Sequence, residues 1–332
     1  MPSMAENHPE STTSESDEVY PTESKDVVTL SGDVLERYQR FSLYNSPYPA
    51  HDSGRAIDLY PGTLRDGRTT RAPSPVSGRV LETRAVRAPP KPYAPKYDHL
   101  LVIECDGPSS VEGQVARILH VDPAVKAGDR VRIGDSLGTL VRAGFFAPWV
   151  DNHLHVGFRD PSQDYVRATG SKRIELAVEV RPLEWDLTGR VIEVGETYAV
   201  LDSPTHPDPG AEFVGIEADG GGVLDGGLPH YDVGGLLGGS DGTVRLGGTP
   251  LGTVGNRSIK WDEVAVLANG EPVTGLSTFC ARDGDFGAKL ICPDRDFEIG
   301  ERVEVSVELL EQNSTAERDG ASGRNHTTNS ER

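Results

Sequence analysis

The sequence has no long apolar run and no recognisable export signal. No stretch approaches the roughly 18 uninterrupted apolar residues of a membrane-spanning helix. The first residues, MPSMAENHPESTTSESDE, offer neither a basic start nor an apolar stretch behind it, so a secretory signal is not expected. We therefore expect a cytoplasmic protein that has no membrane partner.

Cysteine is scarce, with Cys105, Cys280 and Cys292 as the three cysteines of the chain. They form no C-x-x-C motif, which removes the commonest cysteine-based metal and redox signatures. Cys280 and Cys292 could pair in a disulfide, but reduced and partly buried thiols are expected in a cytosol.

Basic residues are few: the chain has 33 Lys and Arg and 52 Asp and Glu, which gives a formal net charge of −19. This balance argues against a nucleic-acid partner or an anionic membrane, since both need a basic surface. Lysine is the rarer of the two, with 7 of the 33 basic residues. The composition is similar to that of proteins from salt-accumulating halophilic archaea, in which the charge reflects the solvent. An ordinary acidic bacterial protein is the alternative.

The chain contains a series of short strand patterns between two polar ends. Residues 1–26 and 312–332 have few large apolar groups and cannot offset their ordering entropy, so we predict disordered tails. A polar stretch, ATGSKR, predicts a boundary near residue 170 and thus two domains, 27–170 and 171–311. Gly and Pro interrupt the alternating apolar segments at short intervals, which predicts a mainly antiparallel, all-β architecture. The clearest predicted strands are 78–86, 100–105, 116–121, 130–133, 154–158, 190–194, 197–201, 213–217, 259–268 and 302–309.

Two segments depart from this pattern. Residues 33–42 carry four large apolar side chains at helical spacing, which predicts a short helix. Glycine makes up 14 of the 36 residues from 220 to 255, as a phosphate-binding loop would require. No G-K-[ST] follows these glycines, so tight turns of a β-domain are the favoured interpretation.

Two similar segments of the first half each predict a β-hairpin. They read APSPVSGRVLE at 72–82 and AVKAGDRVRIGDSLGTLV at 124–141, with Gly at each turn and apolar residues at every second position. Such paired Gly-Asp turns resemble the hybrid motif shared by biotinyl or lipoyl carriers and lysostaphin-type zinc endopeptidases. A carrier would need a modifiable lysine beside a methionine at a hairpin tip, and Lys126 has no such neighbour.

Five residues of the first half stand out as candidates for chemistry. His153 and His155 lie in N-H-L-H-V-G-F, where strand alternation places both imidazoles on one face, about 7 Å apart. This triplet alone is equally consistent with a structural histidine pair. His120 ends the strand pattern ARILHVD, and His51 and Asp58 lie upstream in H-D-S-G-R-A-I-D-L-Y-P-G. An acid in the centre of an apolar strand, as in A-I-D-L-Y, is unfavourable unless it is paired or binds a metal.

The order of these parts resembles the lysostaphin-type metallopeptidase family, which has a duplicated hybrid-motif fold. The resemblance covers about residues 45–160 and implies an antiparallel hybrid-motif domain. The strand patterns beyond residue 170 predict a second β-rich domain of unknown role. It also implies that His51, Asp58 and His155 hold Zn2+, while His120 and His153 assist catalysis. Two imidazoles and one carboxylate leave a tetrahedral zinc with an open position, as catalytic zinc sites require.

One spacing departs from the family pattern. The family usually places the first His and the Asp four residues apart, whereas His51 and Asp58 are seven apart. The residue four before Asp58 is Gly54, which cannot bind a metal. Either a longer loop still delivers His51, or the ligand is lost and Asp52 is a substitute.

The sequence thus predicts a zinc-dependent metallopeptidase-like protein that hydrolyses a peptide or amide bond through metal-activated water. The substrate is expected to be a peptide or another amide. The alternative is a non-catalytic binding or scaffold module that keeps the hybrid-motif fold.

Overall fold

The computed structural model describes residues 26–167 and 169–310 and consists mainly of β-strands. The predicted tails, 1–26 and 312–332, lie outside the described residues apart from Asp26. In the described residues no helix has the length and apolar character needed to cross a bilayer. All three cysteines are buried free thiols, in agreement with the sequence-based expectation.

The elements of the first half place short helices before a set of longer strands. In order they are β1 (Val27–Ser31), α1 (Gly32–Leu35), β2 (Arg40–Ser42), α2 (Pro49–Asp52), β3 (Ile57–Tyr60), β4 (Arg71–Pro73), β5 (Ser77–Arg87), β6 (Tyr97–Gly107), a 3-10 turn (Ser109–Val111), β7 (Val115–Leu119), β8 (Val121–Pro123), β9 (Arg130–Val131), β10 (Ser136–Leu140) and β11 (Leu154–Arg159).

The second half consists of strands joined by turns. In order they are β12 (Arg173–Ala177), β13 (Val180–Leu183), β14 (Thr188–Val194), β15 (Tyr198–Leu201), β16 (Phe213–Ile216), β17 (Val223–Leu228), β18 (Val233–Leu237), β19 (Gly242–Leu246), β20 (Thr249–Gly255), β21 (Ser258–Trp261), β22 (Val264–Ala268), β23 (Glu271–Val273), β24 (Gly275–Thr278), β25 (Cys280–Ala281), β26 (Lys289–Ile291) and β27 (Arg302–Leu309).

Most strands belong to two large sheets, and pairing is mainly antiparallel, as predicted. In the described residues the first sheet runs β13-β16-β25-β2-β3-β11-β7-β6-β5-β9. The second runs β19-β20-β21-β18-β17-β24-β26-β15-β14-β27-β22-β23. Two small sheets, β4-β10-β8 and the parallel pair β1-β12, complete the fold. The first sheet contains β13, β16 and β25 from the second half, so both halves build it. The predicted domain limits stay a prediction.

The middle of the first sheet explains which side chains face the core. Along β11, Leu154, Val156 and Phe158 are fully buried in the main hydrophobic cluster. Alternation directs His155 to the opposite face of the sheet, where it lies opposite Asp58 on β3. The sheet register therefore places a histidine and an acid side by side on the face away from the core.

The two predicted hairpins do not form as hairpins. In the second segment, β9 and β10 are separated by a turn at Gly134, whose φ is +89°, and they pair with other strands. β9 pairs with β5 and β10 pairs with β4, so the two similar segments pair with each other. The predicted turn was correct at Gly134, whereas Gly78 of the first segment lies inside β5. In both segments, strands distant in sequence complete the ladders.

The predicted helix over 33–42 is also wrong in its extent. α1 ends at Leu35, and Arg40–Ser42 forms the strand β2. The apolar residues that suggested a helix are buried all the same, because a helical turn followed by a strand also directs them inward.

The glycine-rich segment forms β17 to β20 and their turns. At Gly235 the absence of a side chain matters, because a Cβ there would lie 2.2 Å from Cδ2 of Tyr44. The segment therefore lets strands of the second half pack closely against the buried residues that precede α2.

Candidate metal centre

Three side chains from three elements converge at one point. Nε2 of His51 lies 3.0 Å from Nδ1 of His155 and 3.4 Å from Oδ1 of Asp58. The remaining pair, His155 Nδ1 and Asp58 Oδ1, is 3.0 Å apart. We call these residues the metal triad, since their ligand atoms form a group that could hold a metal ion.

The longer loop delivers His51 in spite of the seven-residue spacing. His51 lies on α2, is fully buried, and its carbonyl accepts a hydrogen bond from the N–H of Gly54. Gly54 has a φ of +61°, which turns the chain from α2 towards β3 and Asp58. Asp52, the substitute considered from the sequence, does not belong to the group.

A hydrogen bond to a backbone carbonyl fixes which ring atom His51 presents. Nδ1 of His51 lies 2.7 Å from the carbonyl oxygen of Leu43, which can only accept, so Nδ1 carries the proton. Nε2 of His51 is therefore left to face the other two residues. This arrangement is typical of metal-binding histidines, whose second nitrogen donates to a carbonyl or a carboxylate.

The donor set fits zinc. Ligands about 2.0–2.1 Å from a tetrahedral zinc lie about 3.3 Å from one another. The three ligand atoms of the metal triad are 3.0, 3.0 and 3.4 Å apart, close to the edges of such a tetrahedron. Two imidazoles and one carboxylate are also the chemistry that zinc binds in catalytic sites.

The electrostatics of the centre favour a cation. Burial raises the pKa of Asp58, but the charges of His51 and His153 outweigh it and hold this pKa well below the usual value. Burial lowers the pKa of His51, yet Asp58 raises it by more, so its pKa lies above the usual value. Burial lowers the pKa of His153 and that of His155 to about 4. Near neutral pH the ionised carboxylate of Asp58 thus lies beside the neutral imidazoles of His153 and His155.

The other two predicted histidines line the same site. Nδ1 of His153 donates to the carbonyl of Asp151 at 2.8 Å, and its Nε2 lies 3.6 Å from Oδ2 of Asp58. The ring of His120 lies 4.9 Å from the ring of His153 and 5.9 Å from that of His155. The structure thus brings all five candidate residues together, while their roles stay predictions.

Sequence reasoning missed Asp98, the partner of His120. Asp98 is fully buried on β6, and its Oδ2 lies 2.7 Å from Nδ1 of His120. Burial raises the pKa of Asp98, but the charge and hydrogen bond of His120 outweigh it and hold this pKa below the usual value. The signal was present, because Y-D-H-L-L-V-I contains an acid in an apolar strand, as the strand of Asp58 does.

Two residues of the second half hold the backbone around the site. Asp225 accepts hydrogen bonds from the Ser42 hydroxyl and, at 2.7 Å, from the N–H of Leu43, whose carbonyl orients His51. Lys289 donates to Oδ2 of Asp151 at 3.2 Å, and the carbonyl of Asp151 orients His153. Residues of the second half therefore help to position His51 and His153, which belong to the first half.

A cavity of about 510 Å³ opens onto these residues. Asp58, His120, His153 and His155 form part of its lining. Its remaining walls are mainly apolar and include Tyr48, Val86, Leu119, Phe145, Val166 and Tyr231. The cavity therefore offers a mainly apolar approach from the surface to residues of the metal triad.

Comparisons with known proteins give a family but no activity. Two family models match, "Domain of unknown function (DUF8155) N-terminal domain" over residues 29–176 and "Domain of unknown function (DUF8155) C-terminal domain" over residues 181–308. No curated protein matches the chain.

Two solved structures share limited similarity with the chain. The SpoIIQ-SpoIIIAH pore-forming complex is 17% identical over 32% of this chain and 51% of that chain, with a TM-score of 0.18. Lysostaphin in solution is 19% identical over 43% of this chain and 51% of that chain, with a TM-score of 0.24. The chain spans about half the length of each, and similarity at this level supports no conclusion about function.

Proposed function

We propose a function for this chain, which belongs to the DUF8155 family of unknown function, from the geometry of its own site. The proposed function is hydrolysis of a peptide or amide bond with zinc held by His51, Asp58 and His155. The observation that carries it is the convergence of these three ligand atoms to within 3.0–3.4 Å of one another.

Zinc in such a site would supply a Lewis acid that lowers the pKa of water to about 7. The residues around it would then have three tasks. They orient the scissile amide, accept a proton from the attacking water, and return a proton to the leaving nitrogen.

His153 has the features of the proton acceptor. Its Nδ1 proton is committed to the carbonyl of Asp151, so Nε2 offers a lone pair to water. Burial lowers the pKa of His153 to about 4, which keeps this lone pair available at neutral pH.

His120 has the features of the proton donor. The carboxylate of Asp98 lies 2.7 Å from Nδ1 of His120, so Nδ1 donates to it and the ring is held with Nε2 towards the site. A protonated His120 would carry its second proton on Nε2, from which it can stabilise the carbonyl oxygen and protonate the leaving amine. An aspartate that orients and stabilises a catalytic histidine in this manner is common in hydrolases.

The test combines metal analysis with a hydrolysis assay on the full chain. Wild-type protein should bind one zinc per chain in titration calorimetry, at both low and high salt, and should cleave a mixture of quenched fluorescent peptides. His155→Ala should lose the zinc, whereas His153→Ala and His120→Ala should keep it and lose turnover. His206→Gln, a buried histidine of the second half, is the matched control and should change neither property.

Two results would contradict the proposal. Stoichiometric zinc in His155→Ala would refute the ligand assignment. An absence of zinc in the wild-type protein, even after reconstitution, would favour the non-catalytic binding module instead.

A further inference from the structure

Two arginines line the cavity to one side of the metal triad. Arg117 lies on β7 directly opposite Gly157, two residues along the strand from Leu119, which lies opposite His155. Two residues of a strand span about 7 Å. Arg55 precedes β3 and also lines the cavity.

Gly157 lies between the backbone segments that carry the two arginines. A Cβ on Gly157 would lie 2.9 Å from Oγ of Ser171 and 3.6 Å from the carbonyl oxygen of Arg55. Because glycine has no side chain here, nothing from β11 projects between Arg117 and the segment that carries Arg55. The guanidinium groups of Arg55 and Arg117 can therefore contact the same ligand in the cavity.

Neither arginine has a carboxylate partner among the described residues. Nε of Arg117 donates to the carbonyl of Tyr165 at 2.6 Å, and Nη1 of Arg55 donates to the carbonyl of Ser171 at 2.8 Å. Arg117 is only 6% exposed, although the chain carries 19 more acidic than basic groups. Asp164 acts on Arg117 through its charge, which raises the pKa of Arg117, but it forms no direct ion pair with it. A buried guanidinium group with no carboxylate in direct contact is unfavourable, so this position favours an anionic ligand.

Arg117 remains a cation under ordinary conditions. Burial and the neighbouring charge of Arg159 lower its pKa to about 10, still well above neutral pH. Its planar group offers further N–H donors in the geometry that suits a carboxylate.

The walls near the arginines are apolar and partly exposed. Tyr48 is 38% exposed and Val166 is 36% exposed, and both line the cavity. The ring of Phe145 lies 6.1 Å from that of Tyr48 in an edge-on arrangement. An apolar side chain of a ligand would remove these groups from water.

We propose that Arg55 and Arg117 bind the C-terminal carboxylate of a peptide whose last residue is apolar. This inference rests on the proposed function. One extended residue spans about 3.3–3.6 Å, so a carboxylate at Arg117 places the last or the second-last amide bond near the metal triad. The chain would then act as a carboxypeptidase and release one or two residues from the end of a peptide.

The test is a binding measurement on the full-length, zinc-free protein. N-acetylated tetrapeptides that end in phenylalanine, as the free acid and as the amide, are titrated by fluorescence anisotropy. The free acid should bind roughly 10- to 100-fold more tightly than the amide, as expected for hydrogen bonds to a charged group. Arg117→Gln and Arg55→Gln should each reduce this preference, and Arg79→Gln, on the exposed pair with Glu104, should leave it unchanged.

Several results would overturn the proposal. They are equal affinity for acid and amide, a preference that survives both arginine substitutions, and equally tight binding of an amide peptide with an internal glutamate. Circular dichroism checks that each variant is folded. If Arg117→Gln does not fold, Arg55→Gln and Arg117→Lys are compared with the wild-type protein in its place. Binding is measured without metal, so the test of carboxylate binding does not depend on zinc. If the protein prefers the free acid but neither binds zinc nor cleaves peptides, the carboxylate site stands and the proposed function is refuted.

Discussion

The metal triad and a second buried cluster each contain one aspartate, and different kinds of side chain balance the charge of that aspartate in the two clusters. Asp58 is 2% exposed and contacts the imidazoles of His51 and His155. Asp151 is 4% exposed and contacts Arg40 at 2.9 Å and Lys289 at 3.2 Å. We call Arg40, Asp151 and Lys289 the ionic cluster.

The difference in partners distinguishes a candidate metal site at Asp58 from a structural ion pair network at Asp151. Arg40 stays charged at all ordinary pH values, so the ionic cluster needs no further cation to neutralise Asp151. Burial lowers the pKa of Lys289, and the charge of Asp151 opposes this shift. Burial lowers the pKa of His155 to about 4, so its imidazole is neutral at neutral pH. The pKa of His51 lies above its usual value, so His51 must release a proton before its Nε2 can bind a cation. Equal burial of two acids thus has opposite consequences, because only Asp58 has partners that can exchange a proton for a metal ion.

Breaking the ionic cluster should have the largest effect on stability. Lys289→Met leaves Asp151 with Arg40 alone and removes the hydrogen bond to the carbonyl of Trp149. Breaking a buried ion pair costs about 3–5 kcal/mol, so we expect the free energy of unfolding in urea to fall by about that amount.

An exposed ion pair provides the control for this substitution. Arg79→Gln breaks the exposed pair with Glu104 and should cost less than about 1 kcal/mol. If Lys289→Met were no more destabilising than Arg79→Gln, the support role of the ionic cluster would be refuted.

Zinc should distinguish the two aspartates next. A ligand at about 1,000 times its dissociation constant stabilises the folded state by about 4.1 kcal/mol, so zinc should raise the melting temperature of the wild-type protein. Asp58→Asn should abolish this increase, while Lys289→Met should melt lower but retain it. Differential scanning fluorimetry with and without zinc measures both, and an equal zinc response in Asp58→Asn would contradict the assignment of the metal triad.

The sequence was sufficient to predict that His51, Asp58 and His155 come together, but not that the residues of the ionic cluster do. Asp58 shows locally as an acid in an apolar strand, and the alternation of β11 places His155 on a face away from the core. Lys289 contacts a residue 138 positions away, and nothing in its own segment reveals which charge it meets. Asp225 reaches Leu43 across 182 positions for the same reason.

The errors in the fold have the same origin. The turn at Gly134 was predicted from local sequence, but β9 and β10 on either side of it pair with β5 and β4. Local spacing identifies turns and buried faces, whereas strand partners depend on long-range packing that a single pattern does not contain.

Asp225 extends the comparison to a buried acid whose hydrogen-bond partners are neutral. Burial raises its pKa to about 6, in spite of hydrogen bonds from Ser42 and the N–H of Leu43. The native state therefore keeps the proton that the unfolded chain releases near pH 4. This contribution to stability is complete below pH 4 and is lost as the pH rises through 6, by up to about 3 kcal/mol.

Urea unfolding between pH 4 and pH 7.5 tests this sign. The stability of Asp225→Asn relative to the wild-type protein should increase over that range, because the variant has no carboxyl to ionise. Parallel curves for the two proteins would show that Asp225 titrates alike in the folded and unfolded states.

The smallest expected effect concerns the backbone turn that presents His51 to the metal triad. Gly54→Ala places a Cβ at a φ of +61° and within 2.4 Å of Nη2 of Arg257, so it should destabilise the protein by about 1 kcal/mol or more and weaken zinc binding several-fold. Gly113→Ala is the matched control, because its φ is +75° and a Cβ there meets no atom within 4 Å. Gly113→Ala should show the strain in urea unfolding and leave zinc affinity in calorimetry unchanged. Equal zinc affinity in both variants would mean that His51 takes its place in the metal triad independently of this turn.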